Sequence, residues 1–137
     1  MTMNAVQVET EHAAARPTTI FVCITCRRLE EPEDLPRPGA TLAGLTAAAA
    51  EGSGIAVKRV RCLANCTRGL SAAMRRHDSW TYMFGQLNTD DCTALVEGAL
   101  LLACASDGLM PWRGRPAALK SGLIARIPPI DFPEDNE

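Results

Sequence analysis

Four of the six cysteines in this chain fall into two closely spaced pairs, Cys23/Cys26 and Cys62/Cys66. The first pair reads Cys-Ile-Thr-Cys and ends an apolar run, and the second reads Cys-Leu-Ala-Asn-Cys and is followed by Thr-Arg-Gly. Two such pairs can bring four thiolates to one centre, and soft thiolate ligands select zinc, Cu(I) or an iron–sulfur cluster. The sequence therefore predicts a metal centre on these four residues.

Length and composition limit the classes of protein to which the chain can belong. Its 137 residues suit one domain, and its 4% aromatic content predicts an aliphatic core. The net charge of -2 gives no global sign of a nucleic-acid partner. No window reaches the roughly 18 apolar residues of a membrane span, and the N-terminus lacks a secretory signal pattern. We expect a cytoplasmic protein without a nucleic-acid or membrane partner, whose thiols stay reduced.

Hydrophobic patterning predicts the element order β-α-β-β-β-α. The predicted strands are 18–23, 55–62, 71–76 and 80–84, and the predicted helices are 40–51 and 92–104. Three prolines predict an irregular loop over 27–39. The predicted organisation is a flexible lead-in at 1–17, a metal-binding domain at 18–106, an extended tail at 107–130 packed on the domain, and a disordered acidic end at 131–137.

This element order predicts an α/β fold of thioredoxin-like layout, with helices packed on a mixed sheet. Both cysteine pairs begin where a predicted strand ends, at Cys23 and at Cys62. Neighbouring strands lie about 4.8 Å apart, and α/β sheets place ligands at the carboxyl ends of parallel strands. If the two strands are parallel neighbours, the four sulfurs can close on one site.

Charged and polar residues flank the predicted ligands. Arg27, Arg28 and Arg68 lie beside them in sequence, and the Asn65 side chain and backbone amides around Gly69 can donate to sulfur. Such groups tune the potential of a cluster. The mildly basic stretch formed by residues 27–76 is either a solvated face or a collar that stabilises a reduced cluster and steers an acidic redox partner.

Two groups of residues outside the four cysteines have a structural interpretation and a functional one. Trp112, with Arg113 and Arg115, reads as a packing anchor for the tail or as part of a partner-binding tail. Cys92 and Cys104 are expected to be small apolar core residues of the last helix rather than ligands.

The second pair, continued by Arg-Gly after a strand, resembles that of the thioredoxin-like 2Fe–2S ferredoxins, over residues 18–105. This resemblance implies that Cys23, Cys62 and Cys66 bind a cluster. Cys26 takes the place of a cysteine that those ferredoxins carry further along a flexible loop. Such ferredoxins pair through their sheets, which implies a homodimer.

Residues 19–129 also resemble a bacterial family of predicted metal-binding proteins that has an association with cobalamin synthesis. The matching pieces are Val-Cys-Ile-Thr-Cys-Arg, Arg-Pro-Gly-Ala, Cys-Leu-Ala-Asn-Cys-Thr-Arg-Gly, Trp-Thr-Tyr-Met-Phe-Gly, Asp-Gly-Leu-Met-Pro-Trp-Arg and Ile-Ala-Arg-Ile-Pro-Pro. This second resemblance implies metal binding without naming the metal.

The functional prediction is an electron-transfer protein that holds one 2Fe–2S cluster on Cys23, Cys26, Cys62 and Cys66. It would pass electrons between a reductase and an acceptor enzyme, and it would catalyse no reaction of its own. The alternative is a zinc- or cobalt-binding module, or a metal carrier, associated with cobalamin metabolism. A dithiol oxidoreductase is a third reading, because Cys-x-x-Cys is also a redox motif.

Overall fold

The computed structural model describes residues 17–26 and 37–135. Within these ranges the strands are β1 (Thr19–Cys23), β2 (Ala56–Val60), β3 (Ala72–Arg75), β4 (Thr81–Phe84) and β5 (Leu123–Ile127). The α-helices there are α1 (Pro38–Ala50), α2 (Cys92–Ala103) and α3 (Ala118–Ser121). No helix among these residues is long and apolar enough to cross a membrane.

The strands form one mixed sheet in the order β2-β1-β3-β4-β5. β1 and β2 are parallel neighbours and the remaining pairs are antiparallel. Helix α1 connects the two parallel strands, as a crossover must. This arrangement confirms the predicted mixed α/β fold and the parallel pairing from which the site was inferred.

The core lies between the sheet and the pair of helices α1 and α2. Ile20 and Val22 alternate with half-buried neighbours along β1, because successive side chains of a strand point to opposite faces. Aliphatic side chains from both helices, including Leu42, Leu95 and Leu102, are fully buried. The predicted aliphatic core is therefore present, with Tyr82 and Phe84 as its largest side chains.

Both main helices begin where local chemistry permits. Pro38 occupies the first turn of α1, where its missing N–H costs no hydrogen bond. The helix therefore begins at Pro38, two residues before the predicted start at residue 40. A capping box of Asn88 and Asp91 precedes α2, with the Asn88 N–H donating to Asp91 Oδ2 at 2.7 Å. This capping box belongs to the 3-10 turn Thr89–Asp91, which leads directly into α2.

The C-terminal tail contributes more structure than its prolines indicated. Residues 123–127 form β5, which pairs antiparallel with β4 at the edge of the sheet. Leu119 is fully buried and reaches the Gly98 position of α2, and Met110 is buried beside it. Beyond β5, the Phe132 ring packs edge-on against the Trp80 ring, with 5.2 Å between the ring centroids. The tail thus packs on the domain and also extends its sheet, while the domain bounds drawn from sequence stay predictions.

We expect Leu119→Ala to lower the free energy of unfolding by about 2–5 kcal/mol, because it leaves a cavity under the tail. Urea denaturation of the full chain measures the effect. Ile130→Ala is the matched control, since the Ile130 side chain is fully exposed. Equal stability of the two variants would mean that the tail does not pack on α2.

Candidate metal centre

The loops that carry the two cysteine pairs are tied together where β1 and β2 end. Cys23 stands opposite Val60 in the parallel register, so Cys62 follows two residues beyond that partner. The Ile24 N–H donates to the Val60 carbonyl at 2.8 Å, and the Thr25 hydroxyl donates to the Arg61 carbonyl. The parallel ladder is thus prolonged into the two loops, which lie side by side as the sequence predicted.

The Cys23 sulfur is buried among hydrogen-bonding groups. It lies 3.6 Å from Thr25 Oγ1 and 3.7 Å from the Arg61 carbonyl oxygen. Burial opposes ionisation of this thiol, but hydrogen bonds with the Cys26 thiol, the Thr25 hydroxyl and the Leu63 and Thr25 amides outweigh it, so the pKa of Cys23 is lowered. The arrangement favours a thiolate at this position.

Cys26 is the thiol of the first pair whose ionisation is disfavoured. Its own burial and the adjacent Cys23 sulfur raise the pKa of Cys26 to about 12, against opposing hydrogen bonds from Ser71. Two thiols that share a hydrogen bond cannot both ionise readily in a buried site. A bound metal would have to displace the proton of Cys26, since metals bind the thiolate.

The second pair lies at the surface, with both Cys62 and Cys66 exposed. Ala64, between them, has a φ of 58°, a conformation uncommon for a residue with a side chain. Its N–H donates to Cys62 Sγ at 3.2 Å, and Cys66 begins a 3-10 turn that runs to Arg68. Backbone N–H donors therefore serve a sulfur of each pair.

The four sulfurs do not converge in this structure. Across residues 17–26 and 37–135, no three Cys, His, Asp or Glu side chains are grouped closely enough to hold a metal ion. The donor chemistry nevertheless suits a thiolate-bound metal, because both pairs sit on adjacent loops and N–H groups point at sulfur. Cys23, Cys26, Cys62 and Cys66 are the residues that would hold it.

Ser71 links the two cysteine loops and was missed by sequence reasoning. Its carbonyl accepts the Cys23 N–H at 3.1 Å, and its side chain and backbone hydrogen-bond with Cys26. Its hydroxyl accepts from Asn65 Nδ2 at 2.9 Å, and Asn65 lies within the second pair's loop. A single serine at the start of a strand has no spacing pattern that could have revealed this role.

Gly39 is a second residue that the sequence did not reveal. Its N–H donates to the Cys26 carbonyl at 2.9 Å, which seats the first turn of α1 on the first cysteine loop. A Cβ at this position would overlap the Cys23 carbonyl oxygen and crowd the Cys26 backbone. Only glycine allows the helix to approach the thiol pair so closely.

The other predicted site residues have different surroundings. Asn65 Nδ2 donates to the Ser71 hydroxyl and to the Arg68 carbonyl, at 3.4 Å for the latter, so its amide bonds oxygen rather than sulfur. Arg68 is exposed beside Cys66, and Gly69 is buried before a cis peptide bond. The predicted neighbours Arg27 and Arg28 lie outside the described residues.

The two remaining cysteines lie at the two ends of α2, Cys92 as its first residue and Cys104 just after its last. Cys92 is half-buried against the core, as expected. Cys104 is exposed, because α2 ends at Ala103, which corrects the prediction that it lies in the core. Neither residue joins the candidate centre.

Comparison with solved structures identifies the class of fold first. A thioredoxin-like [2Fe–2S] ferredoxin from Aquifex aeolicus is similar with a TM-score of 0.50 at 15% identity, covering 85% of this chain and 99% of that one. At this level of identity the likeness shows the fold, which is thioredoxin-like. Residues 20–129 match DUF1636, described as a protein of unknown function, and the chain belongs to that family. No curated protein matches the chain.

We expect Gly39→Ala to destabilise the protein and weaken metal binding, because its Cβ would push α1 off the Cys23–Cys26 loop. Gly44→Ala is the matched control in the same helix, where the nearest atom to a new Cβ is Arg59 Nη2 at 3.9 Å. That control should gain about 0.5–1 kcal/mol from the better helix former. Urea denaturation and zinc titration measure both effects, and equal behaviour of the two variants would remove Gly39 from the site.

In reduced, metal-free protein, we expect iodoacetamide to modify Cys62 and Cys66 as fast as the exposed Cys104. Cys26 should react last, because its thiol is buried and its raised pKa leaves little thiolate. Time-resolved peptide mapping measures the order of modification. Selective modification of Cys23 ahead of every other cysteine would contradict this order and favour a dithiol oxidoreductase.

Proposed function

We propose that this protein is an electron carrier that binds one 2Fe–2S cluster through Cys23, Cys26, Cys62 and Cys66. The observation that carries the proposal is the Cys23 sulfur, buried among N–H and O–H donors on a loop bonded to the loop of Cys62. Such donors stabilise a thiolate and tune the potential of a cluster bound to it. The thioredoxin-like fold is consistent with this function.

Each part of the site has a distinct task in this proposal. The ladder hydrogen bonds beyond β1 and β2 hold the two loops together, and Ser71 orients Cys26 and Asn65. A bound cluster would supply one-electron chemistry. Residues 52–77 carry six Lys or Arg and no Asp or Glu, a positive charge that offsets the negative thiolates.

The cellular role follows from the same chemistry. The carrier takes electrons from a reductase and gives them to an acceptor enzyme in the cytoplasm, without catalysing a reaction of its own. A second copy of the chain packs against the sheet face that α1 and α2 leave uncovered, where Phe21 and Met83 are only half-buried. Each of these statements is part of the proposal.

A zinc or cobalt carrier is the second candidate, and the exposure of one cysteine pair favours it. Cys62 and Cys66 are open to solvent, whereas Cys23 and Cys26 are buried. An open pair suits a site that must receive and release a metal, and the Cys-x2-Cys and Cys-x3-Cys spacings are also zinc-like. An association with cobalamin metabolism would belong to this function.

Cysteine substitution tests the electron-carrier proposal. We expect Cys23→Ser, Cys62→Ser and Cys66→Ser each to lose most of the iron and sulfide bound by protein purified without oxygen, because every iron needs its full thiolate set. Cys92→Ala and Cys104→Ala are the matched controls, since neither residue lies at the centre. Iron and sulfide assays measure the loss, and the signal of the dithionite-reduced protein in electron paramagnetic resonance should disappear with it.

Two results would refute the ligand assignment. One is unchanged iron in the Cys62→Ser and Cys66→Ser variants, which would leave the exposed pair without a role. The other is a loss of iron in the Cys104→Ala control that equals the loss in Cys62→Ser. Zinc at one per chain in all samples, with no iron, would favour the metal carrier instead.

A further inference from the structure

Trp112 is a large apolar side chain held at the surface. It is 59% exposed, so of the two readings that the sequence allowed for Trp112 the packing anchor is wrong. The residues that anchor this segment are Met110, Arg115 and Leu119, all of which are buried. The indole is therefore available to something outside the chain.

A rigid base holds the Trp112 ring. The buried Arg115 donates through Nε to the Pro111 carbonyl at 3.2 Å and through Nη2 to the Met110 carbonyl. Its guanidinium lies 5.1 Å from the Trp112 ring centroid and 5.6 Å from that of Tyr82, whose hydroxyl accepts the Met110 N–H at 2.8 Å. An aromatic ring fixed in this way loses little entropy when a partner covers it.

Positive charge surrounds the ring. The Lys120 ammonium lies 4.9 Å from the Trp112 ring centroid, and Arg113 is exposed beside it. Residues 108–130 contain four Lys or Arg and no Asp or Glu, although the whole chain has a net charge of -2. The basic character of this segment is local, so it predicts a preference for negatively charged groups.

Backbone hydrogen bonds connect this segment to the turn that carries Cys66. Gly85 donates its N–H to the Gly122 carbonyl at 2.8 Å, and Gln86 donates to the Arg68 carbonyl at 2.6 Å. The segment Gly85–Gln86 therefore bonds to the Cys66–Arg68 turn and also to Gly122, which lies two residues after Lys120. A partner seated over Trp112 would also come close to Cys66.

We propose that Trp112, Arg113, Lys120 and Arg68, here called the Trp112 surface, dock an acidic surface of a partner protein. Exposed Trp and Arg are the residue types that most often dominate interface affinity, and the flanking cations select carboxylates. The inference rests on the proposed function for its purpose, since docking here brings a redox partner to the exposed cysteine pair.

The side chains around the Trp112 ring favour a protein as the partner over a nucleic acid or a membrane. Two cations already lie over the Trp112 ring, which leaves less of its face for stacking on a base. Among Trp112, Arg113, Lys120 and Arg68 only Trp112 is apolar, and the exposed Ile127 and Ile130 lie further along the tail, so this surface offers little apolar area to a lipid surface. A carboxylate-rich protein surface with an apolar centre matches both the ring and its charges.

Binding of a defined acidic peptide tests the proposal on the full chain. The probe is a fluorescein-labelled dodecapeptide rich in Glu with two central Leu residues, followed by fluorescence anisotropy. We expect Trp112→Ala and Arg113→Glu each to weaken binding by about fivefold to thirtyfold, the range of an interface hot spot. Added salt should weaken wild-type binding.

Lys58→Glu is the matched control, because it makes the same charge change as Arg113→Glu at an exposed site on β2, the opposite sheet edge from β5. It should change the affinity by less than about twofold if binding is confined to the Trp112 surface, as expected for a site distant from the contact. Equal weakening by the two Glu variants would overturn the proposal, because binding would then follow net charge alone.

Three further results would overturn the proposal, because each would show that the Trp112 surface binds something other than an acidic protein. These are tighter binding of an oligothymidylate of equal charge, tighter binding of phosphatidylserine vesicles, and a dimer that Trp112→Ala dissociates. The titration is repeated on protein stripped of metal with a chelator and on protein as purified. Because peptide binding is read without any cluster signal, a failed cluster assignment and a failed docking surface give separate results.

Discussion

The parallel pairing of β1 with β2 is the constraint on which the candidate centre depends. It sets Cys23 opposite Val60, so the loops that follow both strands leave the sheet side by side, at the carboxyl ends of the strands. Cys23 and Cys62 are far apart in the chain, and the ladder brings their loops together through the Ile24–Val60 and Thr25–Arg61 hydrogen bonds. Without that pairing the first cysteine loop would have no Leu63 amide beside its sulfur, and Ser71 would be its remaining link to the second loop.

Negative charge at sulfur is the second requirement, and the surroundings of the two pairs meet it differently. Cys23 is buried and depends on fixed N–H and O–H donors, whereas Cys62 and Cys66 are exposed and have solvent as well as the Ala64 amide. Ser71 bonds to the first loop and to Asn65 of the second, so one residue holds both loops. The contrast gives the site a buried half and an accessible half.

Sequence patterns predicted the parts of the fold that have strong periodicity or caps. The apolar run before Cys23, the helix after Asn88 and the hairpin around residues 77–79 are present, and the parallel neighbours follow from element order. β5 was missed because a short Leu-Ile-Ala-Arg-Ile run between prolines has too little alternation to distinguish it from a loop. Ser71, Gly39 and the exposure of Trp112 depend on tertiary contacts, which leave no spacing in the sequence.

The central claim is that this centre holds an iron–sulfur cluster, and one sample of wild-type protein purified without oxygen tests it. The measurement is a visible absorption spectrum together with iron, sulfide and zinc assays on the same sample. Our account predicts visible absorption bands, with iron and inorganic sulfide in the equal amounts of a 2Fe–2S cluster on its cysteine thiolates. A colourless protein that holds zinc, without iron or sulfide, would contradict it and make the site structural or metal-carrying.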